Sequence, residues 1–153
     1  MILETKTSDA VPFDTGTVIR LPAGMVGLPD STDFELVTNE ESLPIMWLRS
    51  RGGDGLNFPV VEPGPLVPNY ELELNDADAD FLGDLSATPP PLVLTVLTVK
   101  SLAPQKATIN LVGPIVINRQ TRVGKQVLLS NYERYSIEHP VIDETAPLEV
   151  GSC

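Results

Sequence analysis

The chain has 153 residues, of which 42% are hydrophobic and 20% charged, and its formal net charge is −11. This length predicts one domain whose core needs no metal or disulfide, and the single cysteine cannot form an internal disulfide. An acidic surface repels phosphate backbones, which disfavours direct nucleic-acid binding and favours a basic protein or peptide partner. Solubility alone is an equally good explanation of the charge.

The N-terminal region shows no signal-peptide pattern, and no apolar run approaches the roughly 20 residues that cross a bilayer. We therefore expect a cytoplasmic protein that does not contact a membrane. Residues 1–84 hold 16 acidic and 4 basic side chains, so the negative charge lies in the first part of the chain.

The 15 prolines and 11 glycines indicate short strands and many turns. In the first part of the chain, strands are predicted over residues 1–6, 18–21, 34–37, 45–49 and 58–61. The glycine-rich segment 51–55 predicts a hairpin between the last two of these strands. Pro59 predicts that the second strand of the hairpin lies at a sheet edge, because proline has no N–H to donate.

Residues 70–74 alternate, which places Tyr70, Leu72 and Leu74 on one face of a strand. Asn75 is a suitable N-cap for a short helix over residues 76–82, and acidic side chains in the first turn favour that helix. We expect the helix to bury Phe81 and Leu85. The proline-rich residues 88–91 then form a stiff connector.

Residues 92–99 are almost continuously apolar, which predicts a strand buried on both faces. Further strands are predicted over residues 108–112, 115–118 and 126–129. The tail 143–153 loses this pattern and is predicted to be frayed, so the domain spans residues 1–142. The fold class is therefore all-β: a small, closed, barrel-like single domain of about nine to ten short strands with one short helix.

No constellation of residues predicts catalysis, a metal site or a cofactor. His139 is the only histidine and is best explained as structural, and Cys153 lacks neighbours that would lower its pKa. The acids at positions 76, 78, 80 and 84 have a calcium-like spacing. However, Phe81 and Ala87 stand where a calcium loop requires glycine and glutamate, which favours a solvated acidic helix end.

Several residues leave two interpretations open. Asn110 and Asn118 are better explained as turn-forming or buried structural residues than as ligands. Trp47 fits the core, or alternatively an interface anchor. Tyr132 and Tyr135 follow the last strong strand, where partly exposed aromatic side chains often mark contact surfaces.

A basic turn is predicted between the last two strands and contains Arg119, Arg122 and Lys125. It is more simply a solvated hairpin end than a site for RNA or an acidic peptide, given the charge of the whole chain.

The segment 108–118, followed by Gly124-Lys125-Gln126-Val127, Tyr135 and His139-Pro140, resembles the FliW family of flagellar assembly factors. The resemblance extends in order over residues 1–142, although Gly113 stands where that family usually has alanine. The usual aromatic after the early glycine-rich loop is also missing at residues 28–30. The residues that carry the family signature are Asn110, Pro114, Asn118, Gly124 and Gln126.

The resemblance implies a cytoplasmic, non-enzymatic protein that binds flagellin and the translational repressor CsrA. In that scheme, the FliW protein keeps CsrA off flagellin mRNA until free flagellin displaces it. We expect the protein to be monomeric alone. The alternative is a generic acidic β-barrel scaffold or ligand-binding module with no role towards CsrA.

The uneven charge and the resemblance together predict where CsrA binds. An acidic surface attracts a basic RNA-binding protein and repels its RNA. The predicted contact residues are Asn57, Phe58, Tyr70, Glu71, Glu73 and Asp76.

Overall fold

A computed structural model describes residues 1–4, 18–86, 90–103 and 105–143. In these ranges the chain forms eleven strands, one α-helix and one 3-10 turn. The predictions for Thr5 and Lys6, for residues 88 and 89 of the proline-rich connector and for residues 144–153 of the tail, with Cys153, lie outside the described residues. The strands are β1 (Ile2–Glu4), β2 (Val18–Arg20), β3 (Asp33–Val37), β4 (Met46–Ser50), β5 (Asn57–Val61), β6 (Glu71–Glu73), β7 (Leu92–Leu102), β8 (Gln105–Ile109), β9 (Ile115–Ile117), β10 (Gly124–Gln126) and β11 (His139–Asp143).

The main sheet follows the order β10-β9-β7-β5-β4-β3-β2. The long strand β7 also pairs with β8, which in turn pairs with β11, while β1 and β6 form a separate two-stranded sheet. The predicted closed barrel is not confirmed. Among the described residues, the two ends of the main sheet are joined by one isolated bridge between Arg20 and Val123. Beside it, the Arg20 N–H donates a 2.9 Å hydrogen bond to the Arg122 carbonyl.

The predicted hairpin of residues 45–61 is confirmed, because β4 and β5 pair with Trp47 opposite Pro59. The edge position predicted for the second strand is wrong for the strand as a whole, since β5 lies between β4 and β7. However, β7 pairs with β5 only at Val60 and Val61. No residue of β7 therefore lies opposite Pro59, where a paired strand would need the N–H that proline lacks.

Several strand boundaries in the last third differ from the prediction, and one strand is additional. Strand β8 ends at Ile109 instead of continuing to residue 112, because the Asn110 side chain accepts the N–H groups of Val112 and Gly113 in a turn. Strand β10 covers residues 124–126 instead of 126–129. Strand β11 was not predicted at all, because Pro140 interrupts the pattern. It tolerates the proline by pairing with β8 on one side, next to a register shift.

Helix α1 (Asp76–Leu82) has the predicted bounds. The Asn75 side chain accepts the Asp78 N–H at 2.8 Å, and Gly83 ends the helix with φ 78°. The predicted burial of Phe81 is wrong, since this side chain is 43% exposed. The helical period instead turns Asp78 and Leu82 inward.

Two hydrophobic clusters form the core, one on each side of β7. Alternate β7 residues divide between them, with Val93 and Leu97 in one cluster and Leu92 and Leu94 in the other. The predicted burial of this strand on both faces is therefore confirmed for its first half. The predicted inward face of residues 70–74 is also confirmed, since Tyr70, Leu72 and Leu74 are all buried.

Candidate functional site

The residues predicted to bind CsrA fall into two groups in the fold. Asn57 and Phe58 open strand β5, and Phe58 packs near Phe34 with a ring-centroid distance of 6.3 Å in one hydrophobic cluster. The remaining residues lie along a continuous segment from Tyr70 through β6 to the first residue of α1, and Tyr70 belongs to the other cluster. The two groups thus sit on separate sheets.

Tyr70 does not offer its side chain to a partner, because it is only 1% exposed. Its hydroxyl donates to the Leu111 carbonyl at 2.5 Å, and its ring meets Tyr135 edge-to-face at 4.8 Å. Burial, and to a smaller extent the neighbouring Tyr135, raises the pKa of Tyr70 above its usual range. The prediction of Tyr70 as a contact anchor is corrected to a supporting role beneath the surface.

The edge of β6 that faces away from β1 is occupied by the segment after β10. The N–H of Glu71 donates to the Tyr135 hydroxyl at 2.9 Å, and the N–H of Glu73 donates to Asn131 Oδ1 at 3.2 Å. Asn131 Nδ2 and the Ser130 N–H donate to the Glu71 and Glu73 carbonyls. Two side chains and one backbone N–H thus take the place of a neighbouring strand.

The outer face of the small sheet is acidic. Register places Glu4 opposite Glu71 and Ile2 opposite Glu73, so Glu4, Glu71 and Glu73 share one face, here named the acidic sheet face. Leu72 points the other way and is fully buried. Arg134 lies 3.3 Å from the Glu71 carboxylate and offsets part of the charge.

Sequence reasoning missed four participants in this surface: Glu4, Asn131, Arg134 and the hydroxyl contact of Tyr135. Glu4 was placed in a strand, but nothing local showed which strand it pairs with. Asn131 and Arg134 are separated from β6 by about sixty residues of chain and carry no recognisable motif. Tyr135 is identified from the sequence as a partly exposed aromatic side chain and as part of the family resemblance, but not as a partner of Glu71.

The family-signature residues surround the β9–β10 hairpin and bind backbone groups. Asn118 donates to the Leu82 carbonyl at 2.9 Å and accepts the Gln120 N–H at 2.9 Å, which joins the hairpin to α1. Pro114 is buried and its carbonyl accepts the Val127 N–H at 2.9 Å. The predicted structural role of Asn110 and Asn118 is confirmed by these backbone partners.

The two remaining signature residues, Gly124 and Gln126, hold β10 close to its neighbouring segments. A Cβ at Gly124 would lie 2.8 Å from the Val116 carbonyl oxygen, so only glycine fits beside β9. Gln126 donates to the Gly113 carbonyl at 3.1 Å and accepts the Val26 N–H at 2.9 Å, which ties the early glycine-rich loop to β10.

The basic residues near this hairpin have separate partners instead of forming one patch. Arg119 Nε donates to the Pro90 carbonyl at 2.7 Å. Lys125, which lies in β10 and not in the turn, makes a 2.6 Å ion pair with Asp78 of α1. The solvated acidic helix end predicted for Asp78 is therefore wrong, because this carboxylate is buried and paired.

Trp47 was predicted to be a core residue, but it is only half-buried. Its neighbours across the strands are Val37 and Pro59, on the opposite face of the sheet from the buried Leu48. Among the described residues, no group of three or more His, Cys, Asp or Glu side chains could hold a metal ion. In the same part of the chain, no helix has the length and apolar character to cross a membrane.

Glu62 and Arg119 are partly buried, and the charge of each influences the pKa of the other. Burial raises the pKa of Glu62, and the positive charge of Arg119 opposes that shift. Burial also lowers the pKa of Arg119, against the effect of Glu62.

Glu62→Gln is expected to change the pH dependence of stability. A raised folded-state pKa means that the folded protein binds this proton more tightly, so the contribution is present at low pH and is lost as pH rises through the folded pKa. The Tm of the wild type relative to that of Glu62→Gln should therefore fall between about pH 4 and pH 7. Thermal unfolding at the two pH values measures it, with the exposed Glu40→Gln as the matched control. Equal pH dependence in both variants would contradict the assignment.

The contacts above define a class of protein: a mostly β protein whose described part has one short α-helix, and whose small sheet carries acidic side chains on a hydrogen-bonded backbone. Comparison with known proteins then identifies the family. The family model for the FliW protein matches residues 2–141. The chain belongs to the FliW family of flagellar assembly factors.

Relatives and a solved structure agree with this assignment. The chain is 34% identical over 144 residues to the flagellar assembly factor FliW of Desulfitobacterium hafniense (strain DSM 10664 / DCB-2), covering 94% of this chain and 93% of that one. It is 30% identical over 145 residues to the FliW protein of Bacillus subtilis (strain 168), covering 95% and 99%. A crystal structure of the flagellar assembly factor FliW matches with a TM-score of 0.72 and 29% identity, over 95% of this chain and 100% of that chain.

Proposed function

We propose that this protein acts in the cytoplasm as a non-enzymatic antagonist of CsrA and as a flagellin-binding chaperone. It binds CsrA and so relieves repression of flagellin mRNA, and free flagellin displaces it. Membership of the FliW family over residues 2–141 is the observation that carries this proposal. No metal, cofactor or direct nucleic-acid contact takes part.

The surface chemistry supports a basic partner. Glu71 and Glu73 project from the acidic sheet face, and Asp76 is exposed at the first residue of α1. The backbone of Glu71 and Glu73 is held by the segment that follows β10, so these two carboxylates are presented without a large loss of chain entropy on binding. The negative electrostatic potential of these carboxylates accelerates association with a basic protein and repels RNA.

Two uncharged residues complete the proposed contact. Asn57 is exposed where β5 begins, opposite Arg49 of β4. Phe58 is half-buried against the neighbouring hydrophobic cluster and positions that end of the strand. Tyr70 acts indirectly by supporting the start of β6 from the core.

Charge reversal of Glu71, Glu73 and Asp76 to lysine is expected to weaken CsrA binding about tenfold and to reduce the salt dependence of the affinity. Isothermal titration of the full chain into CsrA from the same genome, at low and moderate salt, measures both quantities. The control is the reversal of Asp30, Glu40 and Glu41, which are exposed acids outside this surface and change the net charge equally. Unchanged affinity in a folded triple variant would exclude this surface. Failure of the wild type to bind either CsrA or flagellin would instead favour the scaffold alternative.

A further inference from the structure

The pattern of hydrogen bonds between β1 and β6 shows which backbone groups of β1 point outward. Met1 and Leu74 exchange two backbone hydrogen bonds, of 3.1 and 2.7 Å, and Leu3 lies opposite Leu72 in the same register. Bonded pairs alternate along an antiparallel ladder, so residues 1 and 3 bond towards β6. The N–H and C=O groups of Ile2 and Glu4 therefore point away from β6.

The two edges of this sheet differ in the hydrogen-bond partners of their outward backbone groups. On β6, the outward N–H and C=O groups of Glu71 and Glu73 all have partners from residues 130–135. On β1, the equivalent groups of Ile2 and Glu4 have no partner within the described residues. Proteins usually cover or block such an edge, because it is a template for another strand.

The side chains around the open edge select the chemistry of an added strand. Ile2 is 60% exposed and Glu4 is exposed on the acidic sheet face, whereas Leu3 packs inward against the hydrophobic cluster. Glu4 and Glu71 stand directly opposite each other, which is unfavourable for like charges. A residue added beside Glu4 would relieve this repulsion if it were basic, while the next residue would face inward and should be apolar.

We propose that β1 is a docking edge for an extended segment of a partner protein that carries lysine or arginine at alternate positions with apolar residues between them. The segment adds as a further strand beside β1, takes up the outward N–H and C=O groups of Ile2 and Glu4, and places its basic side chains on the acidic sheet face. A second copy of this chain is a poorer occupant, because it would bring a further Glu4 to the same face. The inference deepens the proposed function, since it rests on the same acidic surface.

The test uses the full chain without an N-terminal tag and a seven-residue peptide of alternating lysine and valine with blocked ends. Amide chemical shifts in nuclear magnetic resonance should change first at Ile2, Leu3 and Glu4 when the peptide is added. A peptide with glutamate in place of lysine should not bind. The peptide contains neither CsrA nor flagellin, so its binding succeeds or fails independently of the proposed function.

Variants at Glu4 separate the backbone contribution from the charge. Glu4→Pro removes an N–H that faces the open edge but none that bonds to β6, so it should weaken peptide binding at least about tenfold in a folded protein. Glu4→Gln keeps the N–H and should weaken binding only about threefold, with a smaller dependence on salt.

Three results would overturn the inference. One is peptide binding by a folded Glu4→Pro at the wild-type affinity. Another is a set of shift changes centred away from β1. The third is slow hydrogen exchange of the Ile2 and Glu4 amides in the free protein, as slow as that of Leu3, because the edge would then already be occupied within the chain or by a second copy.

Discussion

Replacing Gly24 with alanine is expected to lower the free energy of unfolding by about 3 kcal/mol, from left-handed backbone strain and overpacking together. Gly24 has φ +69°, and a Cβ there would lie 2.3 Å from the Leu28 carbonyl oxygen and 2.6 Å from Pro29 Cα. Both neighbours are backbone atoms, so the loop itself would have to move. That loop is fixed by reciprocal Met25–Leu28 backbone bonds of 3.2 and 2.8 Å.

Gly27→Ala is the matched control for this prediction. Gly27 also has a positive φ, +81°, but a Cβ there meets nothing within 4 Å. Its replacement should therefore cost only the backbone term of about 1–2 kcal/mol. Equilibrium unfolding in urea measures both variants, and equal losses would show that the close approach at Gly24 is relieved without cost.

Lys125→Met is expected to lower the free energy of unfolding by about 2–4 kcal/mol, because it leaves a buried carboxylate without its cation. Lys125 Nζ lies 2.6 Å from Asp78 Oδ1, and the Asp78 side chain is only 7% exposed. The same ammonium lies 5.5 Å from the centroid of the Phe81 ring. The pair joins α1 to β10, so its loss should loosen the helix first.

The exposed pair between Lys100 and Glu138 provides the control, with side chains 41% and 55% exposed. Lys100→Met should cost less than about 1 kcal/mol because solvent screens that pair. Adding Asp78→Asn to Lys125→Met should recover part of the loss, since the unpaired charge is then removed. Denaturant unfolding of the wild type, Lys125→Met, Asp78→Asn and the double variant gives the coupling free energy between the two side chains. A loss from Lys125→Met no larger than that from Lys100→Met would contradict the buried-pair account.

The residues of the candidate surface were predicted in part correctly from the local sequence pattern. The acidic side chains of Glu71, Glu73 and Asp76 were identified from charge and are exposed or half-exposed as required for contact. Tyr70 was assigned to the same surface, but its alternation with Leu72 places it on the buried face. The strand period therefore predicts the burial of Tyr70 more reliably than its aromatic character predicts a contact role.

Elements whose determinants are local were predicted from the sequence by itself. Helix α1 has its predicted bounds because its N-cap Asn75 and its terminating Gly83 adjoin it in the chain. The hairpin of β4 and β5 and the two-sided burial of β7 follow from turn residues and from apolar pattern. The ordered motifs also identified the family, and the match over residues 2–141 confirms it.

Only the tertiary structure decided which distant groups meet. The pairing of Glu4 with Glu71, the occupation of the β6 edge by Asn131 and the burial of Asp78 against Lys125 all join segments at least 47 residues apart. Main-chain groups are alike in every residue, so sequence pattern can indicate a strand but not which neighbour satisfies its edge. That choice depends on packing, and among the described residues it leaves the outward edge of β1 without a partner strand.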